Sequence, residues 1–277
     1  MKGIIGVIAG DIIGSSREFN PIKTKDFKLF NEYSRFTDDT VMTLAIASWL
    51  LKNKDSKDVL ISEIKHFGNL YPYAGYGRMF KQWLRDEDSK PYGSWANGSA
   101  MRVAPVAWVG ESLNEVQKLA EISACVTHNH VEAIKGAKAT ADAIYLARTG
   151  FNKDEIKEHI ENEYEYDLSR KLSDIRNYYD FEISCEKSVP EAIICFLEAC
   201  DYEDAIRNAV SLGGDADTQA AIAGGIASVY WDVNAKIAAQ SIARLDTNLL
   251  EVFIHFHELY EWKLGHQAPI FCIYSMD

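Results

Sequence analysis

The pattern of apolar and polar positions predicts a chain built mainly from helices. The segment Thr40–Leu51 is apolar nearly all round, which is typical of a helix buried at the centre of a fold. His130–Arg148 carries alanines spaced four residues apart, and such a stripe of small side chains lets two helices approach closely. Asn152–Tyr166 is charged and predicts an exposed helix, whereas Asp246–Leu264 predicts a long amphipathic one.

Capping signals predict where helices begin. Ser112–Glu115 and Ser188–Glu191 both place a serine three residues before a glutamate, the spacing of a capping box, and Pro190 fits a first helical turn. Signals for strands are sparse, and Phe181–Cys185 alone has a short alternation of apolar and polar residues. We therefore predict an all-α fold, a single domain of roughly a dozen helices over residues 1–277.

Composition agrees with a globular protein. Hydrophobic residues make up 47% of the 277 residues and charged residues 25%, which excludes a disordered tail protein and a collagen-like rod. The 29 lysines and arginines against 41 aspartates and glutamates give a net charge of −12, and the sequence contains no basic run. Because this balance provides no overall attraction to nucleic acid or to an anionic membrane, we expect neither as a stable partner.

Cysteines and apolar runs bear on the compartment. The five cysteines are an odd number without a CxxC spacing, which disfavours a disulfide framework or zinc cage and favours reduced thiols in a cytoplasmic protein. No apolar stretch approaches the length of a membrane span. Met1–Gly10 is apolar, but Asp11 interrupts it after a short run, so we interpret it as a buried first helix rather than a signal peptide.

The first candidate for chemistry is the tetrapeptide Thr37–Thr40, which places Asp38 and Asp39 between two hydroxyls directly before the most apolar helix. One interpretation is a helix cap, because threonine and aspartate at a helix start accept hydrogen bonds from its free N–H groups. A cap needs only one of these side chains, however. The second carboxylate is then left beside a core helix, which keeps a binding role open.

The second candidate is Gly213–Thr218, in which Asp215 and Asp217 precede another apolar helix rich in small residues. The two glycines allow a positive φ or the close approach of another segment. Alone, this segment fits a helix cap or a weak Ca²⁺ site, although it lacks the spacing of an EF-hand loop.

Together the two segments point to a site for hard metal ions. If the two helix starts are neighbours, four carboxylates face one another, and two divalent cations would neutralise them. Mg²⁺ prefers carboxylate, hydroxyl and water oxygens, Mn²⁺ fits as well, and neither needs histidine or cysteine. The spacing along the chain does not itself bring the two segments together.

Six segments, in order along the chain, carry a resemblance to a known family. They are Gly10–Glu18, Thr37–Thr40, Gly75–Gly77, Asn97–Pro105, Thr127–His128 and Ser211–Thr218. With these motifs the chain resembles the ADP-ribosylglycohydrolase family, and the last motif is the most specific of the six. The resemblance implies an all-α orthogonal helical bundle. It also implies two Mg²⁺ or Mn²⁺ ions between the helix starts, held by the matching residues Thr37, Asp38, Asp39, Asp215, Asp217 and Thr218.

The resemblance also implies roles in catalysis and substrate binding. Glu18 falls at the position of a catalytic glutamate, although most glutamates are exposed loop acids, and Asp38 or Asp39 would help to orient the attacking water. The loop after Glu18 carries three lysines and gates the site in the family. The implied substrate-binding residues are Gly75, Tyr76 and Gly77 along a diphosphate, Gly93, Ser94 and Trp95 near the distal ribose and adenine, and Asn97 and His128 in the pocket. By composition alone the first triplet is a turn and His128 a core residue.

The function implied by the resemblance is metal-dependent hydrolysis of the bond at the anomeric carbon of the distal ribose, with release of ADP-ribose from an ADP-ribosylated protein, nucleic acid or small molecule. Two other classes stay open: a two-metal phosphoesterase acting on the diphosphate, which would release AMP, and a non-catalytic ADP-ribose binder. The retained cluster of four acids argues against the binder. The acceptor to which ADP-ribose is linked is not readable from the sequence.

Overall fold

A computed structural model describes residues 1–261 and confirms the predicted all-α fold. In this part of the chain the backbone forms fourteen α-helices, and its sheet-like pairing is limited to an isolated bridge between Ala96 and Ser184. The helices are α1 Ile5–Gly14, α2 Asp38–Asn53, α3 Lys57–Leu70, α4 Arg78–Arg85, α5 Ala104–Val109, α6 Leu113–Cys125, α7 Val131–Arg148, α8 Lys153–Tyr164, α9 Leu172–Tyr178, α10 Cys185–Leu197, α11 Tyr202–Val210, α12 Ala216–Tyr230, α13 Ala235–Ile242 and α14 Thr247–Phe256. The single domain predicted over residues 1–277 stays a prediction.

Two helices with small residues form the centre of the fold. Every residue of α1 is buried, as predicted for the first helix, and α1 packs along α12. A Cβ atom added at Gly10 would lie 2.1 Å from the carbonyl oxygen of Ala220, and one at Gly14 would lie 2.4 Å from that of Ala216. Because only a hydrogen side chain permits this approach, the two helix backbones lie in direct contact. This contact brings α1 to the start of α12.

The other predicted core helices pack around this pair. Helix α2 contains the apolar segment predicted as a central helix, and it contacts α1, α3, α5 and α14. Helix α7 presents its small residues to α10 and α12, where a Cβ added at Gly136 would lie 2.7 Å from Sγ of Cys185. The predicted exposed helix is confirmed as α8, which Asn152 and Glu155 begin with a full capping box.

Several sequence-based predictions need correction. The capping box predicted at Ser188 is wrong, because α10 begins one turn earlier, with Ser184 at the N-cap, and Ser188 donates to the Ser184 carbonyl. Pro190 therefore lies inside the helix. Its missing N–H removes the hydrogen bond that the carbonyl of Glu186, an exposed residue, would otherwise accept within the helix. The strand-like alternation in Phe181–Cys185 forms no strand, since that segment pairs through the isolated bridge of Ser184.

Two other predicted boundaries are met in part. Ser112 accepts from the N–H of Glu115 as predicted, but the Glu115 carboxylate accepts from the N–H of Glu111, 2.9 Å away, instead of returning to the cap residue. Helix α14 begins after Asp246 as predicted and passes into a π-helical turn, His257–Glu261. The predicted continuation to Leu264 lies outside the described residues.

Within residues 1–261, no helix is both long and apolar enough to cross a membrane. The four described cysteines are free thiols, and two of them, Cys185 and Cys195, are buried. The fifth, Cys272, lies outside the described residues.

Candidate functional site

A cavity of about 600 Å³ opens where the first residues of α2 and α12 meet. The residues of its wall combine acids, glycines and apolar side chains, and they include most of those singled out in the sequence. The lining comprises Glu18, Asp38, Asp39, Met42, Gly75, Tyr76, Gly77, Arg78, Met79, Phe80, Tyr92, Ser94, Ala96, Asn97, Gly98, Met101, Arg102, His128, Phe181, Ile183, Asp215, Asp217 and Thr218.

The start of α2 is held by an acid from another helix. Thr37 is the N-cap of α2, as predicted, and its Oγ1 accepts from the N–H of Asp39. The carboxylate of Asp11, from the middle of α1, accepts from the N–H groups of Thr37 and Thr40 at 2.9 and 3.0 Å and from both hydroxyls. Asp11 therefore caps α2 from outside and frees Asp38 and Asp39 from that task.

The two acidic segments meet at Asp39. Its Oδ2 accepts from Oγ1 of Thr218 at 3.2 Å and lies equally close to Oγ1 of Thr37, whose proton has its shorter contact with Asp11. Carboxylate oxygens of Asp11, Asp39 and Asp217 lie within 4.8 Å of one another, and so do those of Glu18, Asp215 and Asp217. The proximity of the two segments, which the spacing along the chain could not provide, is thus present in the fold.

A pocket wall and the acidic cluster are joined through Asn97. The side-chain amide of Asn97 donates to Oδ2 of Asp215 at 2.7 Å, while its backbone N–H donates to the carbonyl of Ile183 at 2.8 Å. Both Asp215 and Asp217 are buried at the start of α12. Asn97 therefore fixes one carboxylate oxygen of the cluster from the pocket wall.

Burial and mutual repulsion make this cluster electrostatically costly. Desolvation, followed by the charges of Asp11 and Asp38, raises the pKa of Asp39 well above its usual value. Desolvation, followed by the charges of Asp215 and Asp39, does the same to the pKa of Asp217. Desolvation and the charge of Asp11 raise the pKa of Asp38 to about 8. A positive counter-charge would relieve the strain on all of these carboxylates at once.

Glu18 lies at the edge of the same cluster. It follows α1 in a turn closed by a hydrogen bond from the N–H of Arg17 to the carbonyl of Gly14, 2.7 Å long. Its half-buried side chain faces Asp215 and Asp217, and desolvation with the charge of Asp215 raises the pKa of Glu18 to about 7. The structure thus places the predicted glutamate on the cavity wall rather than in an exposed loop.

The glycine-rich triplet lies directly beside Asp38. The N–H of Asp38 donates to the carbonyl of Ala74 at 2.8 Å, and a Cβ on Gly75 would approach Oδ1 of Asp38 to 2.9 Å. Gly75 also has a φ of +117°, which other residues rarely adopt. Gly77, the N-cap of α4, faces open space within the cavity wall, so a ligand can approach its backbone.

His128 and Arg102 form a buried polar wall. A guanidinium nitrogen of Arg102 donates to Oγ1 of Thr127 at 2.8 Å, and this hydroxyl shares a hydrogen bond of 2.7 Å with Nδ1 of His128. The other ring nitrogen, Nε2, lies beside Gly98. Desolvation and the charge of Arg102 lower the pKa of His128 well below its usual value. His128 is thus a neutral imidazole on the cavity wall.

Not every predicted contact residue lines the cavity. Thr37 is not among the lining residues, although its Oγ1 lies 3.2 Å from Oδ2 of Asp39. Of the triplet Gly93–Trp95, Ser94 lines the wall, but Gly93 donates to Asn129 and Trp95 lies 49% exposed outside the lining. Their predicted substrate contacts find no support in the position of the two residues.

Sequence reasoning missed several residues of the site, and three of them are instructive. Asp11 was noted only as an interruption of an apolar run, although an acid inside an otherwise apolar helix is itself a signal. Phe181 and Ile183 line the cavity from the segment whose short alternation of apolar and polar residues was its only noted feature. Nothing in the local pattern pointed to their position.

Comparison with known proteins identifies the family. The family model for ADP-ribosylglycohydrolase matches residues 1–265. The ADP-ribosylhydrolase ARH3 of Mus musculus is 30% identical over 259 residues, which cover 71% of this chain and 69% of the mouse protein. The ADP-ribosylarginine hydrolase Tri1 of Pseudomonas putida is 24% identical over 282 residues, 83% of this chain and 70% of that protein.

The fold agrees with a solved relative. A chain in the solved structure of an ADP-ribosylglycohydrolase-related protein complex superposes on this one with a TM-score of 0.71. The match covers 92% of this chain and 95% of that chain. At 21% identity this likeness concerns the fold. The resemblance inferred from the six motifs is confirmed, and the chain belongs to the ADP-ribosylglycohydrolase family.

Proposed function

We propose that this protein is a metal-dependent hydrolase that cleaves the anomeric bond of the distal ribose in ADP-ribosylated substrates and releases ADP-ribose. The observation that carries the proposal is one cavity of about 600 Å³ whose wall holds both acidic segments and Glu18. This volume lies within the range of small-molecule and cofactor sites. Family membership supports the same class of reaction.

The acidic cluster fits divalent cations. Its donors are carboxylate and hydroxyl oxygens, which Mg²⁺ and Mn²⁺ prefer. Oδ1 of Asp39 is buried and has no hydrogen-bond partner among the described residues, while Oδ2 lies 3.2 Å from the hydroxyl oxygens of two threonines. The residues that would hold two ions are Thr37, Asp38, Asp39, Asp215, Asp217 and Thr218. Thr37 lies beside Asp39, and Asp11 takes over the cap, so we add Asp11 as a residue supporting the site. When bound, the ions supply positive charge to the ribose hydroxyls.

The remaining wall fits a nucleotide diphosphate. The open backbone at Gly77 allows phosphate oxygens to approach the first N–H groups of α4. Neutral His128 adds its imidazole to this wall, and buried Arg102 adds positive charge behind it. Phe181 and Ile183 provide apolar surface for the base.

The reaction is addition of water across the bond from the anomeric carbon to the acceptor. The water oxygen forms the new bond to carbon, and the acceptor atom leaves with the bonding electron pair and takes up a proton. We assign Glu18 the hydrogen bond to the attacking water, with Asp38 and Asp39 orienting the same region. Positive charge developing on the sugar ring would be stabilised by the carboxylates around it.

The acceptor stays open, and it defines the partners. ADP-ribosylated proteins, nucleic acids and small molecules are all compatible with a cavity that binds the ADP-ribose half. For the compartment, free thiols at the four described cysteines support the reducing environment of the cytoplasm.

A panel of substrates tests the proposal. Arginine-, serine- and nucleobase-linked ADP-ribose and acetylated ADP-ribose are incubated with the protein and Mg²⁺ or Mn²⁺, and products are separated by chromatography. We expect ADP-ribose from at least one substrate and none after chelation. AMP as the main product would establish a phosphoesterase instead, and binding of ADP-ribose without turnover of any substrate would leave a binding protein.

A further inference from the structure

The segment after Glu18 crosses the surface without a helix, yet basic side chains hold it in place. Between residues 19 and 36 the backbone forms only turns and extended stretches. Arg207 donates to the carbonyls of Lys25 and Phe27 at 2.7 and 2.8 Å, and Arg244 donates to the carbonyl of Ser34 at 3.2 Å. The far half of the segment is therefore fastened to α11 and to the turn that follows α13.

Lys23 fastens the near half, and it does so at a junction of three segments. Its ammonium group donates to the carbonyl of Tyr179 and to the carbonyl of Leu212. Tyr179 begins the stretch that continues to Phe181 and Ile183 on the cavity wall. Leu212 lies three residues before Asp215. A single side chain thus connects the Glu18 segment, the cavity wall and the loop that carries the acids.

The two glycines at this junction leave room for the neighbouring segments, because neither carries a side chain. Gly213 has a φ of +70°, and a Cβ there would lie 3.1 Å from both the carbonyl oxygen of Ile22 and Cε of Lys23. A Cβ on Gly214 would lie 2.5 Å from the ring of Tyr179. Both properties predicted for this glycine pair, a positive φ and a close approach, are therefore present.

A second contact joins the same segments closer to the cavity. The rings of Phe19 and Phe181 stack with their centroids 6.2 Å apart and their planes 24° from parallel. Phe19 is 81% exposed and Phe181 50% exposed, so this pair alone is weakly held. The bond from Lys23 to the carbonyl of Tyr179 keeps the backbone of Phe181 in reach of Phe19.

We propose that Lys23 is a positioning residue for Glu18. Its two hydrogen bonds fix how far the Glu18 turn lies from the loop of Asp215 and Asp217. The attacking water must fit between these two segments. The inference rests on the function proposed above, in which Glu18 contacts that water. Misplacement of a reacting group by about 1 Å can cost on the order of 100-fold in rate.

The first test does not depend on activity. Hydrogen–deuterium exchange is measured on metal-free protein for Lys23→Met, which keeps the side-chain stem, and for Lys23→Arg, which keeps the charge and several donors. Lys28→Met, an exposed lysine of the same segment, is the control. We expect faster exchange over residues 16–20 and 212–217 in Lys23→Met only. Wild-type exchange in that variant would overturn the proposed tether.

The second test measures turnover on whichever ADP-ribosylated substrate the wild-type protein cleaves. Lys23→Met should lower kcat by at least about tenfold with little change in KM, because the substrate wall is intact while Glu18 is displaced. Lys23→Arg should recover most of kcat. Unchanged kcat despite faster exchange would overturn the positioning role, as would an equal loss in Lys28→Met. A wild-type protein inert on every substrate would contradict the proposed function, whereas exchange would still decide whether Lys23 tethers the segments.

Discussion

Thr218 donates a hydrogen bond from Oγ1 to Oδ2 of Asp39 over 3.2 Å, although 179 residues separate them along the chain. Oγ1 of Thr37, which donates to Asp11 at 2.7 Å, also lies 3.2 Å from this oxygen. One oxygen of Asp39 is thereby oriented by the starts of two helices, while Oδ1 is buried and unpartnered within the described residues. A metal-ligating carboxylate requires this arrangement, in which one oxygen is oriented by neighbouring hydroxyls and the other keeps its lone pairs for the ion.

The first prediction concerns Asp39 and Asp217. We expect Asp39→Asn or Asp217→Asn to weaken Mn²⁺ or Mg²⁺ binding by at least about 100-fold and to remove activity. The asparagine amide has the shape of the aspartate carboxylate but lacks its negative charge. Calorimetric titration measures the affinity, and circular dichroism checks that the helices persist.

The metal-free variants provide a further comparison. Each substitution removes one of several repelling carboxylates, so the melting temperature without metal should rise. Asp26→Asn, an exposed acid, is the control for overall charge. Full turnover by either site variant in metal-free buffer would contradict the binuclear site.

The second prediction concerns Gly77, whose backbone borders the cavity. Gly77→Thr places a β-branched side chain where a Cβ meets nothing within 4 Å, and threonine is itself a favourable N-cap. The fold should be unaffected, whereas the diphosphate loses its approach to the start of α4. We expect ADP-ribose affinity to fall by at least about tenfold, with most of its stabilising shift in melting temperature lost.

Gly75→Ala is the matched comparison in the same loop. Its positive φ and the nearby Asp38 make this substitution costly to the fold, so the melting temperature without ligand should fall. Wild-type affinity for ADP-ribose in Gly77→Thr would show that the triplet serves only as a turn.

Local sequence pattern was sufficient where local physics decides. Thr37 was recognisable as an N-cap because a hydroxyl followed by acids precedes an apolar helix, and α2 and α7 follow from their apolar and small residues. The start of α10 was misplaced, because Ser188 and Pro190 satisfy the rules of a first turn equally well one turn inside the helix. A local rule cannot decide which of two serines caps a helix when both fit.

The assembly of the site could not be predicted in the same way. Asp39 meets Asp217 because Gly10 and Gly14 let α1 lie against α12, a contact between distant parts of the chain. The resemblance to a family supplied the ligand set but not Asp11, whose role depends on where α1 ends relative to α2. Trp95 followed a motif match, yet it is not among the residues that line the cavity.

The third prediction concerns pH and the buried acid Asp142, which does not line the cavity. Asp142 is fully buried and its Oδ2 accepts from Gln117, Tyr164 and Nε2 of His159, the last at 2.9 Å. The hydrogen bond to Asp142 raises the pKa of His159 above its usual value, against the opposing effect of desolvation. Protonated His159 therefore stabilises the folded state fully below about pH 6.5, and this contribution is lost as pH rises through the folded-state pKa.

A melting series across pH tests this assignment. His159→Gln should lower the melting temperature at pH 6 by only about 1–3 °C, because the imidazole is partly solvated. The difference from wild type should shrink by about pH 8–9, because the imidazole has then lost its proton. His255→Gln, at an exposed imidazole, serves as the control. A difference that does not change with pH would mean that His159 contributes packing rather than charge.

The last prediction concerns Glu18, which is half-buried and faces Asp215 and Asp217 from the turn after α1. Glu18→Gln keeps the shape of the side chain and removes its charge and its capacity to take a proton. If Glu18 contacts the attacking water, turnover should fall by at least about 100-fold, the lower end of the usual contribution of a general acid or base. Affinity for ADP-ribose should change by less than about tenfold, because the contacts proposed for the diphosphate and the base lie elsewhere on the wall. Both quantities are measured on the same preparation, by single-turnover kinetics and by calorimetry with ADP-ribose.

A loss of turnover of only a few fold in Glu18→Gln would assign the water to Asp38 or Asp39, whose carboxylates share the cavity. A parallel collapse of affinity would make Glu18 a ribose-positioning residue, because the charge would then act on the ground state as strongly as on the transition state.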